Sequence, residues 1–139
     1  MDTLFLARAD QLAYLGEYSH PREAFITIEC LNFHVEARAQ LYSILMNLFY
    51  DEARELEVFV DAYEDDGPGV WQLCDDLVMR LADLDEDDIQ ALAEQLPEYD
   101  LLSQAELTEE DVSDFLFPLV TLARNSLDEP GLKLYVLTR

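Results

Sequence analysis

Lysine is all but missing from this chain. Lys133 is the only one among 139 residues, and eight bases in total face 31 acids. A net charge of −23 repels DNA, RNA and anionic membranes, and it attracts basic surfaces over about a Debye length. Direct nucleic-acid binding and membrane association are therefore not expected. Glycine is scarce too, with four residues and no phosphate-cradling pattern among them, which removes the common nucleotide-binding motifs. No apolar run approaches the ~20 residues needed to cross a bilayer. The first sixteen residues lack a basic start and an unbroken apolar segment, so they do not read as a secretory signal. The two cysteines, Cys30 and Cys74, lie far apart among apolar neighbours and read as reduced, buried thiols. The expected address is the cytoplasm.

Candidates for chemistry are thin. His20 and His34 have no metal-motif spacing. Cys30 and His34 are four apart and would share a helix face, but no motif supplies an orienting group or an oxyanion hole. Asp83, Asp85, Asp87 and Glu94 match positions 1, 3, 5 and 12 of a calcium loop, yet Asp88 stands where the turn glycine is required. Capping by Asp85, followed by the first turn of a helix, explains the same residues. No enzyme activity, metal or cofactor is expected.

What the chain does have is apolar bulk and unevenly placed acid. Hydrophobic residues make up 50%, including 25 leucines, enough for one domain over 1–139. The spacing predicts a mainly α fold, a single helical bundle of roughly five to seven helices, with a minor C-terminal β element over Leu132–Leu137 as an option. Leu4, Ala7, Leu12 and Leu15 suit a first helix. A second, capped by Ser19 with Pro21 in its first turn, runs on to Phe49, although Phe25–Ile28 is β-prone. Residues 51–63 fit helix or strand equally. Val70, Leu73, Leu77, Leu81 and Leu84 predict one long amphipathic helix. Thr108–Asp111 resembles a capping box opening a last helix, which Pro118 should kink or split.

Residues 51–114 hold 23 acids and only Arg54 and Arg80, whereas 1–50 carry −3 and 115–139 carry +1. An ordinary solvated helix face mixes signs, and like charges one turn apart are destabilising. A basic protein partner would reward such a field. Electrostatic steering speeds association, and aromatic anchors supply contact energy. The expected partner-binding face comprises Glu64, Asp65, Asp66, Asp75, Asp76, Asp83, Asp85, Glu86, Asp87, Asp88 and Asp100, with Tyr63, Trp71 and Tyr99 as anchors. In size, charge and helicity the chain resembles immunity proteins that neutralise basic bacterial toxins, nucleases above all. That likeness implies an inhibitor of a toxin, nuclease or nucleic-acid-binding protein. Two alternatives are a DNA mimic, whose carboxylates imitate phosphates, and a secretion chaperone for an effector. A high-salt habitat would also account for excess acid.

Overall fold

The computed structural model describes residues 2–12, 25–30, 33–62 and 69–138. Its centre is a five-stranded, wholly antiparallel sheet, not a helical bundle. The strands are β1 (Thr3–Arg8), β2 (Thr27–Glu29), β3 (Glu57–Ala62), β4 (Gly69–Leu73) and β5 (Leu132–Thr138), in the order β2-β1-β5-β4-β3. Among the described residues six α-helices accompany them: α1 (Val35–Met46), α2 (Tyr50–Ala53), α3 (Asp75–Ala82), α4 (Glu86–Gln95), α5 (Asp100–Gln104) and α6 (Glu109–Asp128). The fold is α+β, so the expectation of a mainly α, all-helical protein is overturned.

The two chain ends build the middle of the sheet. Leu4 pairs with Val136 and Leu6 with Leu134. Side chains alternate across a strand, so these four face one side, where the helices pack. With Leu73, Phe33, Leu41, Leu77, Leu81, Ile89, Val112, Phe115 and Leu119 they form the main core. Phe5, Ala7, Val70, Tyr135 and Leu137 point the other way into a smaller cluster, against which Leu12 and Phe25 pack. Phe5 and Tyr135 stack there with ring centroids 5.6 Å apart. Both clusters draw on β1, whose residues Thr3 to Ala7 are all buried. A strand covered on both faces reads as a continuous apolar run, and that run resembled a helix.

The long helix expected from Val70 to Leu84 is a strand, β4, followed by α3. Val70 and Leu73 stand three apart as helix neighbours would, but they face opposite sides of the sheet. The long second helix shrinks to α1, preceded by β2. Ser19 and Pro21, with His20, lie outside the described residues. Two expectations are met, and one option left open is taken up. Asp85 caps α4 in a reciprocal box with Asp88, Thr108 caps α6 in another with Asp111, and the C-terminal segment is a strand. Pro118 does not split α6, which runs through it as one helix. Gly131 makes the tight turn from α6 into β5 at φ 84°, a conformation that costs glycine nothing.

Candidate functional site

Many of the described acids fall at helix starts. The first turns hold Glu36 in α1, Asp51 and Glu52 in α2, Asp75 and Asp76 in α3, Glu86, Asp87 and Asp88 in α4, Asp100 in α5, and Glu109, Glu110 and Asp111 in α6. Carboxylates are favoured there because unpaired N–H groups and the helix dipole present partial positive charge. This local attraction offsets part of the repulsion that the sequence seemed to leave unrewarded.

The acids of the expected face are thereby spread over several helix starts. Asp83, Asp85, Glu86, Asp87 and Asp88 form one exposed group at the α3–α4 junction. Asp75 and Asp76 lie at the other end of α3, about 12 Å away at 1.5 Å per residue. Asp100 opens α5 beyond the far end of α4, itself about 15 Å long. Tyr63, Glu64, Asp65 and Asp66 lie outside the described residues. Asp75 is partly neutralised by Lys133, 3.0 Å away. None of the five junction carboxylates is ion-paired among the described residues, although the Arg124 guanidinium donates to the nearby Ala82 and Leu84 carbonyls.

The two expected anchors within the described residues, Tyr99 and Trp71, are half-buried. Tyr99 packs against the main core, and its hydroxyl accepts a hydrogen bond from Gln95 at 3.0 Å. Trp71 sits on β4 rather than on a helix. It packs edge-on against Phe59, with centroids 5.2 Å apart and planes at 72°. Its indole N–H is buried with no acceptor among the described residues. The polar end that an interface tryptophan usually offers to a partner is therefore turned inward.

Sequence reasoning passed over the most exposed apolar stretch near these acids. Val58, Phe59 and Val60 on β3 are 52%, 54% and 41% exposed, and Phe49 at the start of α2 is 81% exposed. β3 lies at one edge of the sheet, and only β4 pairs with it among the described residues. The strand-like alternation of Leu56, Val58 and Val60 was the available signal, and residues 51–63 were equally readable as helix.

A buried ionic network also went unseen. Arg38, on α1, has no exposed surface. Its Nε and Nη2 donate to the two Glu57 oxygens at 2.8 and 3.0 Å, and its Nη1 donates to Asp2 at 2.9 Å and to the Phe33 carbonyl at 2.8 Å. The Tyr42 hydroxyl donates to Glu57 at 2.8 Å. Burial opposes the Arg38 charge, but its hydrogen bonds and ion pair with Glu57 outweigh burial and hold its pKa above the ordinary value. Burial, reinforced by the Glu57 charge, pushes the Tyr42 hydroxyl well above its ordinary pKa. The network is a clamp that fixes β3 to α1 by the inner face of Glu57. An arginine inside an otherwise apolar helix face was the legible clue.

Cys30 and His34 do not share a helix. His34 is the N-cap of α1, with its Nδ1 accepting from the Ala37 N–H at 3.3 Å, and Cys30 precedes the helix in the core. Burial raises the Cys30 pKa to about 12, with the Arg38 charge opposing, so the group is a thiol at neutral pH and a weak nucleophile. Both cysteines are free. Cys30 lines a hollow of about 100 Å³ with Phe33, Phe115 and Asp111, below the roughly 300–1,000 Å³ of small-molecule pockets. The calcium-like pattern from Asp83 to Glu94 is occupied by the regular helix α4 rather than a loop. Among the described residues no cluster of three or more His, Cys, Asp or Glu side chains is arranged to hold a metal ion, and no helix is long and apolar enough to cross a membrane. Comparison of the chain with protein-family models, curated proteins and solved structures finds no match.

Proposed function

We propose that this chain is a non-catalytic binding protein that neutralises a basic protein partner, as an immunity protein neutralises a toxin. The observation that carries this reading is the α3–α4 junction, where five exposed carboxylates within six residues lack an ion-pair partner among the described residues. Helix capping accounts for Asp85 and Asp88 but leaves Asp83, Glu86 and Asp87 without a side-chain hydrogen bond among the described residues. Such a field raises association rates with basic proteins by orders of magnitude at low ionic strength. The clumping of acids at helix starts favours a protein partner over nucleic-acid mimicry, which needs carboxylates in an extended, phosphate-like row.

One observation favours a second reading, a secretion chaperone: the exposed edge strand β3 is suited to an extended client. The two readings share a basic partner and differ in whether it is folded when bound.

The test uses the purified protein as bait in native lysate, followed by kinetics with the captured partner. Neutralising Asp83→Asn, Glu86→Gln and Asp87→Asn together spares both carboxylates of the α4 capping box. We expect slower association with a shallower salt dependence and an unchanged fold. A partner that is not basic, or one that binds this variant at the original rate, would rule the reading out. Binding only to the denatured partner would select the chaperone.

A further inference from the structure

Three consecutive apolar side chains on β3 stay exposed, although they alternate across the strand. Phe59 stands opposite Trp71, which stands opposite Val136, so Phe59 belongs to the helix-covered side of the sheet. Val58 stands opposite Gln72 and then Tyr135, on the other side. Both are more than half exposed, so beyond Glu57 neither the helical layer nor the smaller cluster covers this outer strand. Natural edge strands are guarded by lysine, proline, bulges or covering elements. β3 has no lysine or proline. A register shift between Phe59 and Asp61 blunts its second half, while Glu57, Val58 and Phe59 keep regular pairing with β4. Glu57 is held inward by Arg38, so its charge does not guard the edge. The strand is rigid on its inner side and presents backbone donors and acceptors outward, as strand addition requires.

Charge selects the occupant. Residues 51–66 hold eight acids and one base, Arg54. Pairing two copies of β3 would bring two such segments together within chains of −23 each, and like charges across a strand pair are destabilising. An extended segment with lysine or arginine beside apolar residues meets both the field and the exposed Val58 and Phe59. We propose that the outer edge of β3 pairs with an extended basic segment of the protein partner and adds a sixth strand to the sheet. This rests on the basic-partner reading above and adds where and how that partner docks.

The probe is a synthetic peptide of about ten residues, the length of a long strand, alternating lysine and valine. One control replaces every valine with proline, which keeps the charge, removes every second backbone donor and disfavours a paired strand. A second replaces every lysine with glutamate. Trp71, the single tryptophan, touches Phe59 and reports binding by fluorescence, and amide hydrogen exchange over residues 57–62 reports pairing. At low salt the lysine–valine peptide should bind and protect β3 amides. The proline control should bind at least about tenfold more weakly, a difference of about 1.4 kcal/mol. Val58→Lys with Val60→Lys should lose a similar factor, and Val58→Thr should keep binding.

Equal binding of the lysine–valine and proline peptides, without β3 protection, overturns edge pairing and leaves the basic-partner reading standing. Failure of the lysine–valine peptide to bind, or equal binding of the glutamate peptide, overturns both. If the wild-type chain is a dimer that Val58→Lys dissociates, the edge belongs to a second copy and the proposed occupant is wrong. The peptide comparison uses the wild-type protein, so a misfolded variant leaves the test intact.

Discussion

Arg38 holds the acidic segment to the fold. Its guanidinium satisfies Glu57 with two bonds and reaches Asp2 and the Phe33 carbonyl, so one side chain ties α1 to β3 and to the start of β1. Removing one member of a buried pair strands the other charge, at a cost of about 3–5 kcal/mol. Glu57→Gln and Arg38→Met should each lose stability of that order in urea unfolding. The combination Arg38→Met with Glu57→Leu should lose clearly less than the sum, because neither charge is then left alone. Additive losses would mean that the two residues do not act as a unit. Tyr42, a member of this network, and Cys30, beside it, supply a second prediction. Their folded pKa values are raised, Cys30 from 9.0 to about 12. The unfolded chain therefore releases these protons first as pH rises, and stability falls between pH 9 and about 12. Each group contributes a slope of up to about 1.4 kcal/mol per pH unit within its window. Cys30→Ala should be less stable at pH 8 because it leaves a small void, yet its stability should fall less steeply from pH 9 upward. An equally steep fall in the variant would remove the thiol from the account.

The elements show which sequence signals were sufficient and which were not. Caps are local chemistry, and Asp85 and Thr108 were readable because each acts within three residues of itself. α6 was readable because Val112, Phe115, Leu116, Leu119, Leu122 and Ala123 keep helical spacing on one buried stripe. β1 was not, because it is covered on both faces and shows no alternation. Nor was its pairing with β5, since Leu4 and Val136 are 132 residues apart and no local pattern records that contact. In β4 the spacing misled, because Val70 and Leu73 serve two different cores. Pro118 carries the prediction at this scale. It is exposed in the interior of a 20-residue helix, removes one backbone donor and crowds the carbonyl of Asp114. Tertiary packing of α6 holds the helix together despite this. Pro118→Ala should restore the missing bond and stabilise the protein by about 1–3 kcal/mol. A loss of stability would mean that the ring makes a contact that outweighs the backbone cost.

Across the whole molecule two electrostatic effects oppose each other. Carboxylates in first turns gain about 0.3–1 kcal/mol each from the helix termini they occupy. The same carboxylates repel one another across a chain of −23, with the bases too few to compensate and Arg80 the only base in the last turn of any described α-helix. This is also why the site was only partly legible: the amount of acid can be read from the sequence, but its distribution over separate helix starts is set by the fold. The two effects differ in range. Attraction to a helix terminus acts within one turn, where salt screens poorly. Repulsion between the α3 start, the α3–α4 junction and the α5 start acts over about 12–15 Å, beyond the Debye length of about 10 Å at 0.1 M salt. Added sodium chloride should therefore remove repulsion faster than attraction. Raising it from about 0.01 M, where the Debye length is about 30 Å, to about 0.5 M should raise the melting temperature. A gain of 1–2 kcal/mol corresponds to roughly 2–8 °C for a domain of this size. A melting temperature that stays flat or falls would mean that the helix termini and neighbouring bases already neutralise the acids. The charge would then offer no stored repulsion for a basic partner to relieve.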